Sequence, residues 1–517
     1  MDGCVCSQDL GRSPLAVVDA PSSCESHSFP DDVAQVREFL DAAWRAAERF
    51  ERDELLRYVA IIQPHIEGRG PLAQRWSGRD EMETLQAIGF LWQDEAERAL
   101  ELARAVLSRP AIGRLRLVLY TVIRYACWRT RRLDVFYGLP LPRYYRGRLN
   151  MRVLNVINLS IEAAAEAEQL RLKSAERNAR HAVALGELAG GIDDNASLLS
   201  RCVLATVAYE MGGLDEASAL IRGRDAAMDQ YGSADAALWG TTVAVRVAIA
   251  NGHAKHALSV IRRSRVISRQ RRWKMLAAHL AEQEVNLLIR GGNLLLATKV
   301  LAHALRRDPS GTQLGVPIDE SAWPLEAARL RLAFATGDFT EAADGFTRLS
   351  CWLNERDQGT FAVRYTALAA ASLLHDGHPD EACAGLCKAL EAGASAGLFR
   401  TFVDELECLA PCLRRLRTSM KHQLGHLNAF TNAILATRSV LIAIPEDGVN
   451  QELARILSKR EVVVLHLISK GYSNKTIARE LYITPETVKS HIKRIAIKFS
   501  TKTRAEAVAL GKSIGII

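Results

Sequence analysis

Between Thr484 and Phe499 the chain carries a dense set of side chains able to grip a polyanion: Thr484, Thr487, Lys489, Ser490, His491, Lys493, Arg494 and Lys498. On a helix advancing about 100° per residue, Ile492, Ile495 and Phe499 fall within about 40° of Val488 and form one apolar stripe. Ser490, Lys493 and Arg494 face the opposite way, beside Glu486 and Ile497, with Lys489, His491 and Lys498 on the flanks. Such a rod can enter the major groove, where central side chains reach base edges and flanking ones hold phosphates. A basic amphipathic helix can also be a plain solvated surface, so the elements around it must decide.

Those elements are well punctuated. Ser458-Lys459-Arg460-Glu461 is a capping box that opens a helix through Leu465, Leu467 and Ile468, and Gly471 ends it. Ser473 can cap a second, short helix carrying Ile477, Ala478 and Leu481. Thr484-Pro485 pairs a cap with proline at the first helical position and starts the third helix. A fourth runs from about Thr503 to Ile514. Short helices joined by three- or four-residue turns are the tri-helical arrangement that reads DNA. Lys475 and the free amides opening the second helix can hold a further phosphate. Residues 451–517 contain 13 Lys and Arg against 5 Glu, an excess that equals the formal net charge of +8 of the whole chain. A neutral body carrying one cationic end points to a polyanionic partner for that end.

The stretches Leu457 to Glu461, Gly471-Tyr472-Ser473-Asn474-Lys475-Thr476-Ile477-Ala478, Thr487-Val488-Lys489-Ser490-His491 and Ala505-Glu506-Ala507-Val508 resemble the LuxR-type helix-turn-helix of bacterial regulators. That resemblance spans nearly all of 457–517. It implies base contacts from Lys489, Ser490 and Lys493, which Arg494 joins from the same exposed face. It implies phosphate contacts from Lys475, Thr484, Thr487 and His491, with Lys498 added from the flank. It also implies that the fourth helix, through Val508, Leu510 and Ile514, mediates homodimerisation on double-stranded DNA, and that RNA polymerase is a partner. Tyr482 and Phe499-Ser500-Thr501-Lys502 depart from the family's usual residues.

Ahead of this module the apolar residues recur at helical spacing from about 31 to 437. A short signal repeats between helices, as in Gly212-Gly213-Leu214-Asp215-Glu216-Ala217 and Thr336-Gly337-Asp338-Phe339-Thr340-Glu341-Ala342. Its last alanines, Ala217, Ala257, Ala297, Ala342 and Ala382, are spaced 40, 40, 45 and 40 residues apart. Weaker copies without glycine lie at Gln169 to Ala175 and Gln93 to Ala96. Glycine ends one helix in a left-handed turn, Asp or Asn beside it can cap the next, and alanine lets the two helices pack closely. Pairs that cannot bury their apolar faces alone must stack, so the expected fold is all-α: a tetratricopeptide-like superhelical solenoid followed by the four-helix module. A globular bundle with chance spacing is the alternative.

Two basic, aromatic stretches stand out, Arg124 to Arg148 and Arg262 to Lys274. Arg269, Arg272 and Trp273 are the candidate effector-binding residues, because arginine beside aromatic rings suits phosphate, carboxylate or sugar. A solvated helix end or a turn between repeats is the plainer reading of each stretch and is preferred to effector binding. Gly397-Leu398-Phe399-Arg400-Thr401-Phe402-Val403-Asp404-Glu405, leading into Leu413-Arg414-Arg415-Leu416, resembles the junction between repeats and DNA-binding domain in the large MalT-like regulators. That branch implies a superhelix that senses a small molecule. Its N-terminal ATPase is not matched: the one Gly-Lys-Ser, Gly511-Lys512-Ser513, falls in the fourth helix of the module rather than after a strand, so no nucleotide switch is expected.

His375, His378, Cys383 and Cys387 cluster around one turn without a known zinc spacing, and Cys408 and Cys412 share a helix face. They are read as core and surface residues, with no metal, cofactor or catalytic set, and no enzyme activity is expected. The longest uncharged run, His422 to Thr437, is 16 residues, too short to span a bilayer. A cytoplasmic protein is expected. The expected organisation is a disordered tail at 1–30, the repeat domain at 31–437, a linker at 438–450 and the DNA-binding module at 451–517. The expected function is sequence-specific transcription regulation, as an activator by family resemblance, controlled by a small molecule or protein in the superhelix. The rival is an interaction scaffold whose basic end merely docks.

Overall fold

A computed structural model describes residues 33–67, 78–110, 113–140, 148–188, 195–224, 227–228, 233–307, 312–313, 316–317, 320–419, 427–437, 457–481, 483–499, 501 and 503–513. The expected tail at 1–30 and linker at 438–450 lie outside them.

Helices follow one another in antiparallel pairs: α1 (Val33–Glu48), α2 (Arg52–Glu67), α3 (Arg79–Trp92), α4 (Ala96–Leu107), α5 (Arg116–Arg129), α6 (Leu133–Gly138), α7 (Met151–Glu168), α8 (Leu172–Glu187), α9 (Leu198–Glu210) and α10 (Leu214–Ile221). The array continues through α11 (Ala234–Ala250), α12 (Ala254–Gln270), α13 (Lys274–Arg290) and α14 (Leu294–Arg307). A two-residue antiparallel pair, β1 (Thr312–Gln313) with β2 (Val316–Pro317), interrupts it. Then come α15 (Trp323–Thr336), α16 (Phe339–Asn354), α17 (Gly359–His375), α18 (Pro379–Ala396), α19 (Phe399–Val403), α20 (Leu406–Ser419) and α21 (Leu427–Ala436). None of the described helices is long and apolar enough to cross a membrane.

The repeated turn has one geometry. Gly212, Gly252, Gly292, Gly337 and Gly377 take φ of 95°, 77°, 74°, 91° and 91°, the left-handed region that glycine enters without penalty. Five residues after each lies the alanine of the motif, and Ala217, Ala257, Ala297, Ala342 and Ala382 are all 0% exposed. Asp338 caps its helix by accepting from the Glu341 amide at 3.3 Å, and Asn293 does so from Leu296 at 3.3 Å. In the two copies without glycine the left-handed residues are Asp94 (φ 68°) and Leu170 (φ 65°). The same five-residue step leads to Ala175 and to Ala99, both 0% exposed, so the close-packing alanine of the first copy is Ala99 rather than Ala96.

The solenoid turns back on itself. Thr360 Oγ1 at the start of α17 donates to the Ala167 carbonyl at the end of α7, 2.7 Å away. A Cβ on Gly359 would lie 2.9 Å from Leu170 Cγ, so the two segments touch backbone to side chain. Across the same closure Asp404 accepts from Tyr209, Arg246 and Arg400, and Glu210 accepts from the Thr401 amide and hydroxyl at 3.0 and 2.8 Å. Arg331 on α15 bridges Glu282 at 2.9 Å and Glu405 at 2.5 Å. Buried ions are tolerated because each has its counter-ion and hydrogen bonds in place. Burial opposes ionisation of Asp404, but Arg246 and Arg400 outweigh it and hold its carboxyl below the usual range. Glu405 is depressed likewise, by Arg331 against burial.

The C-terminal module rests on this ring. Leu296, Ala297 and Leu301 of α14 belong to one apolar cluster with Leu465, Ile495 and Phe499 of the module. Lys299 of α14 carries its Nζ to 5.4 Å from the centre of the Phe499 ring.

Candidate nucleic-acid interface

The module comprises α22 (Lys459–Ser469), α23 (Asn474–Glu480), α24 (Pro485–Phe499) and α25 (Arg504–Ser513). Every start signal read from the sequence is made in hydrogen bonds. Ser458 and Glu461 form the reciprocal capping box, the Glu461 amide to Ser458 Oγ at 3.3 Å and the Ser458 amide to Glu461 Oε2 at 2.7 Å. Ser473 accepts from the Thr476 amide, Thr484 from Thr487 and Thr503 from Glu506, each at 3.2 Å. Gly471 ends α22 at φ 82°. The Gly511-Lys512-Ser513 tripeptide lies at the end of α25.

Val464, Leu465, Ile477, Val488, Ile495 and Phe499 form the buried centre, so α24 packs through the stripe assigned to it, with Ile492 half-buried at its edge. Arg460 donates to the Leu481 carbonyl at 3.0 Å, joining α22 to the turn before α24. Arg504 donates to Asn474 Oδ1 at 3.3 Å and to the Tyr472 carbonyl, fixing α25 against the start of α23.

The face turned outward is the predicted one. Lys489, Ser490, Lys493 and Arg494 are exposed together on α24, and Thr484, Thr487 and Lys475 are exposed beside them. The Thr484 and Thr487 hydroxyls are 2.9 Å apart. His491 is half-buried, and its Nδ1 has no partner among the described residues. Lys498 is different: its Nζ sits 2.6 Å from Glu461 Oε2, so in this structure its charge is paired inside the module. Burial works against the Glu461 carboxylate, yet Lys498 and Ser458 pull its pKa below the ordinary value. Of the residues assigned to dimerisation, Val508 is half-buried on α25; Ile514 and the Leu510 side chain lie outside the described residues.

Two family models match the chain. Residues 145–419 match the MalT-like TPR region, and residues 455–510 match the bacterial regulatory proteins of the luxR family. The first covers more than half of the sequence. The chain belongs to the LuxR-family regulators with a MalT-like TPR region. Curated relatives match in the C-terminal region. The oxygen regulatory protein NreC of Staphylococcus carnosus is 48% identical over 54 residues, 10% of this chain and 25% of the relative, and that of Staphylococcus epidermidis is 46% identical over the same extent. The chain thus spans about a quarter of the length of the curated relatives it matches.

In this LuxR-family regulator the effector residues expected from the sequence, Arg269, Arg272 and Trp273, line neither of the two cavities described below. Trp273 is 0% exposed in the core, its Nε1 donating to the Trp92 carbonyl at 3.1 Å, and Arg269 and Arg272 are exposed at the end of α12 and in the turn after it. The Arg-Trp run marks a repeat turn, in which Arg272 takes φ 56°. The other basic stretch does reach a cavity. Trp128, Arg129 and Arg131 line a space of about 880 Å³, counting its open mouth, together with residues of α9, α11, α13, α15 and α17. Arg129 pairs with Asp94 and Asp235, and Arg131 with Glu168 and Glu320. His279, also in the wall, is kept neutral, its pKa pushed down to about 3 by burial and then by nearby arginines. A second, mostly apolar cavity of about 730 Å³, again counting its open mouth, has Tyr125 and Ser233 in its wall.

The histidines and cysteines of the α17–α18 turn go separate ways. His375 stacks on Phe339 at 4.8 Å, His378 faces Asp376 and Glu381, and Cys383 is buried. Cys408 and Cys412 are unpaired, and burial pushes both thiols up to about 12.

Proposed function

We propose that this regulator activates transcription by placing two copies of α24 in successive major grooves of a near-palindromic site, under control of an effector held in the ring. The observation that carries the reading is the exposed quartet Lys489, Ser490, Lys493 and Arg494 on a helix whose opposite stripe is buried. One such module covers about 600–1,000 Å² of DNA, too little for useful specificity, which favours a dimer through α25. The apolar contact between α14 and the module gives a physical route from ring to reading helix. Recruitment of RNA polymerase belongs to the same reading.

Selection of bound duplexes from a random pool, followed by footprinting, tests it. The expected result is an enriched motif with two half-sites about one helical turn apart. Uniform, sequence-blind retention would leave a docking scaffold as the better description.

A further inference from the structure

The larger cavity has a chemistry of its own. Its arginines are mostly spoken for: Arg129 and Arg131 each hold two carboxylates, and Arg246 holds Glu210 at 2.6 Å and Asp404 at 2.9 Å. Arg364 is the exception. Its nearest carboxylate among the described residues is Glu210 at 3.5 Å, and that group is already saturated by Arg246 and by the Thr401 amide and hydroxyl. Arg364 Nε has no partner at all among the described residues. Nearby, Gln358 is fully buried, gives its amide N–H to Glu320 at 2.5 Å, and leaves its carbonyl oxygen unpartnered. A buried, unmet acceptor costs about 1–3 kcal/mol, which a ligand donor can recover.

Part of the remaining wall is aromatic, beside aliphatic and hydroxyl side chains such as Leu172, Val207, Leu238, Met275 and Thr242. Trp323 and Phe361 lie with ring centres 4.7 Å apart, and His279 meets Trp323 edge-on at 4.8 Å. Trp239 lines the same space. A polyhydroxylated ligand would need many free polar partners, and here the acids and arginines have largely satisfied one another. A planar ring needs only the aromatic wall.

We infer that the cavity takes a small aromatic monocarboxylate, its ring against Trp323 and Phe361, its carboxylate on Arg364 and an N–H or O–H donor on the Gln358 carbonyl oxygen. The inference rests on the reading of the ring as the effector-sensing part. Glu210 on α9 stays with Arg246 and Thr401, so the ligand carboxylate is held by Arg364 of α17 alone. A guanidinium offers a carboxylate two parallel hydrogen bonds, which a neutral amide cannot match.

The test uses the full chain, tryptophan fluorescence and thermal unfolding. Benzoate, 4-hydroxybenzoate, phenylacetate, indole-3-acetate and nicotinate are each compared with the matching carboxamide. The expected result is that at least one acid raises the melting temperature and quenches fluorescence, with its amide at least ten-fold weaker. Arg364→Gln should abolish that preference. Equal binding of acid and amide, or no response to any acid, overturns the inference. The acid–amide comparison is made on the unaltered chain, so a variant that misfolds does not blunt it. Duplex selection on the same preparation separates the two readings. Selective DNA binding with no acid response removes the ligand class alone, whereas an acid response with sequence-blind DNA binding removes the regulator.

Discussion

Lys498 Nζ lies 2.6 Å from Glu461 Oε2, the oxygen that also accepts from the Ser458 amide at 2.7 Å. The last turn of the reading helix is thereby tied to the cap of the first helix of the module. Glu461→Ala removes a cap and a cross-helix partner together and should cost about 1–2 kcal/mol in urea unfolding of the module. The Glu461 pKa is depressed in the fold, so this contribution is present at neutral pH and is lost as pH falls through the folded value. Lys498→Ala should leave the salt dependence of DNA binding unchanged; a drop of about one in the slope would restore it as a phosphate contact.

Lys493 and Lys475 should behave differently from Lys498 and from each other. Lys493→Ala should weaken binding to the selected site by about 1–3 kcal/mol and relax one base position. Lys475→Ala should weaken all duplexes alike and lower the salt slope by about one. Competitive gel shifts across salt concentrations check both.

The ring closure contains a sharper test. Arg331 and Glu405 are 6% and 5% exposed in their side chains and 2.5 Å apart. Glu405→Leu strands Arg331 with Glu282 alone and should destabilise the repeats by about 3–5 kcal/mol in thermal unfolding.

Acid should open the same closure. Asp404 and Glu405 both have folded pKa values below normal, so their stabilisation is complete above the unfolded carboxylate value of about 4 and fades as pH drops through the folded values. Hydrogen exchange at α19 should accelerate below about pH 4 before exchange in α5 or α7 does. Simultaneous loss of protection throughout would assign acid unfolding to other groups.

Gly359 offers a steric probe of the same seam. Its missing Cβ leaves room for Leu170, and Gly359→Ala should cost about 1–3 kcal/mol by overpacking, seen as a lowered melting temperature.

The module was legible in the sequence because its signals are local. Ser458 with Glu461, Ser473 with Thr476 and Thr484 with Thr487 are partners three residues apart, and a helical projection places Val488 and Ile495 inside and Lys493 outside. The same projection cannot see across helices, so it leaves out Glu461, 37 residues earlier, as the partner of Lys498. The repeat turns were legible where glycine marked them and blurred where Asp94 or Leu170 takes the left-handed conformation instead. The cavity left no periodic trace. Trp128, Arg364 and Glu210 meet there only because the solenoid closes, and residues as far apart as Ala167 and Thr360 become neighbours.

Phe499, against which Lys299 rests, is the final residue of the 15-residue α24. Lys489 lies ten residues back along that rod, roughly 15 Å away at ~1.5 Å per residue. A tilt of about 10° about the Phe499 end would carry Lys489 through ~2.6 Å, about three-quarters of the ~3.4 Å step between stacked bases. A change in repeat curvature that tilted the rod by that much would displace its base-facing end by most of one base-pair step.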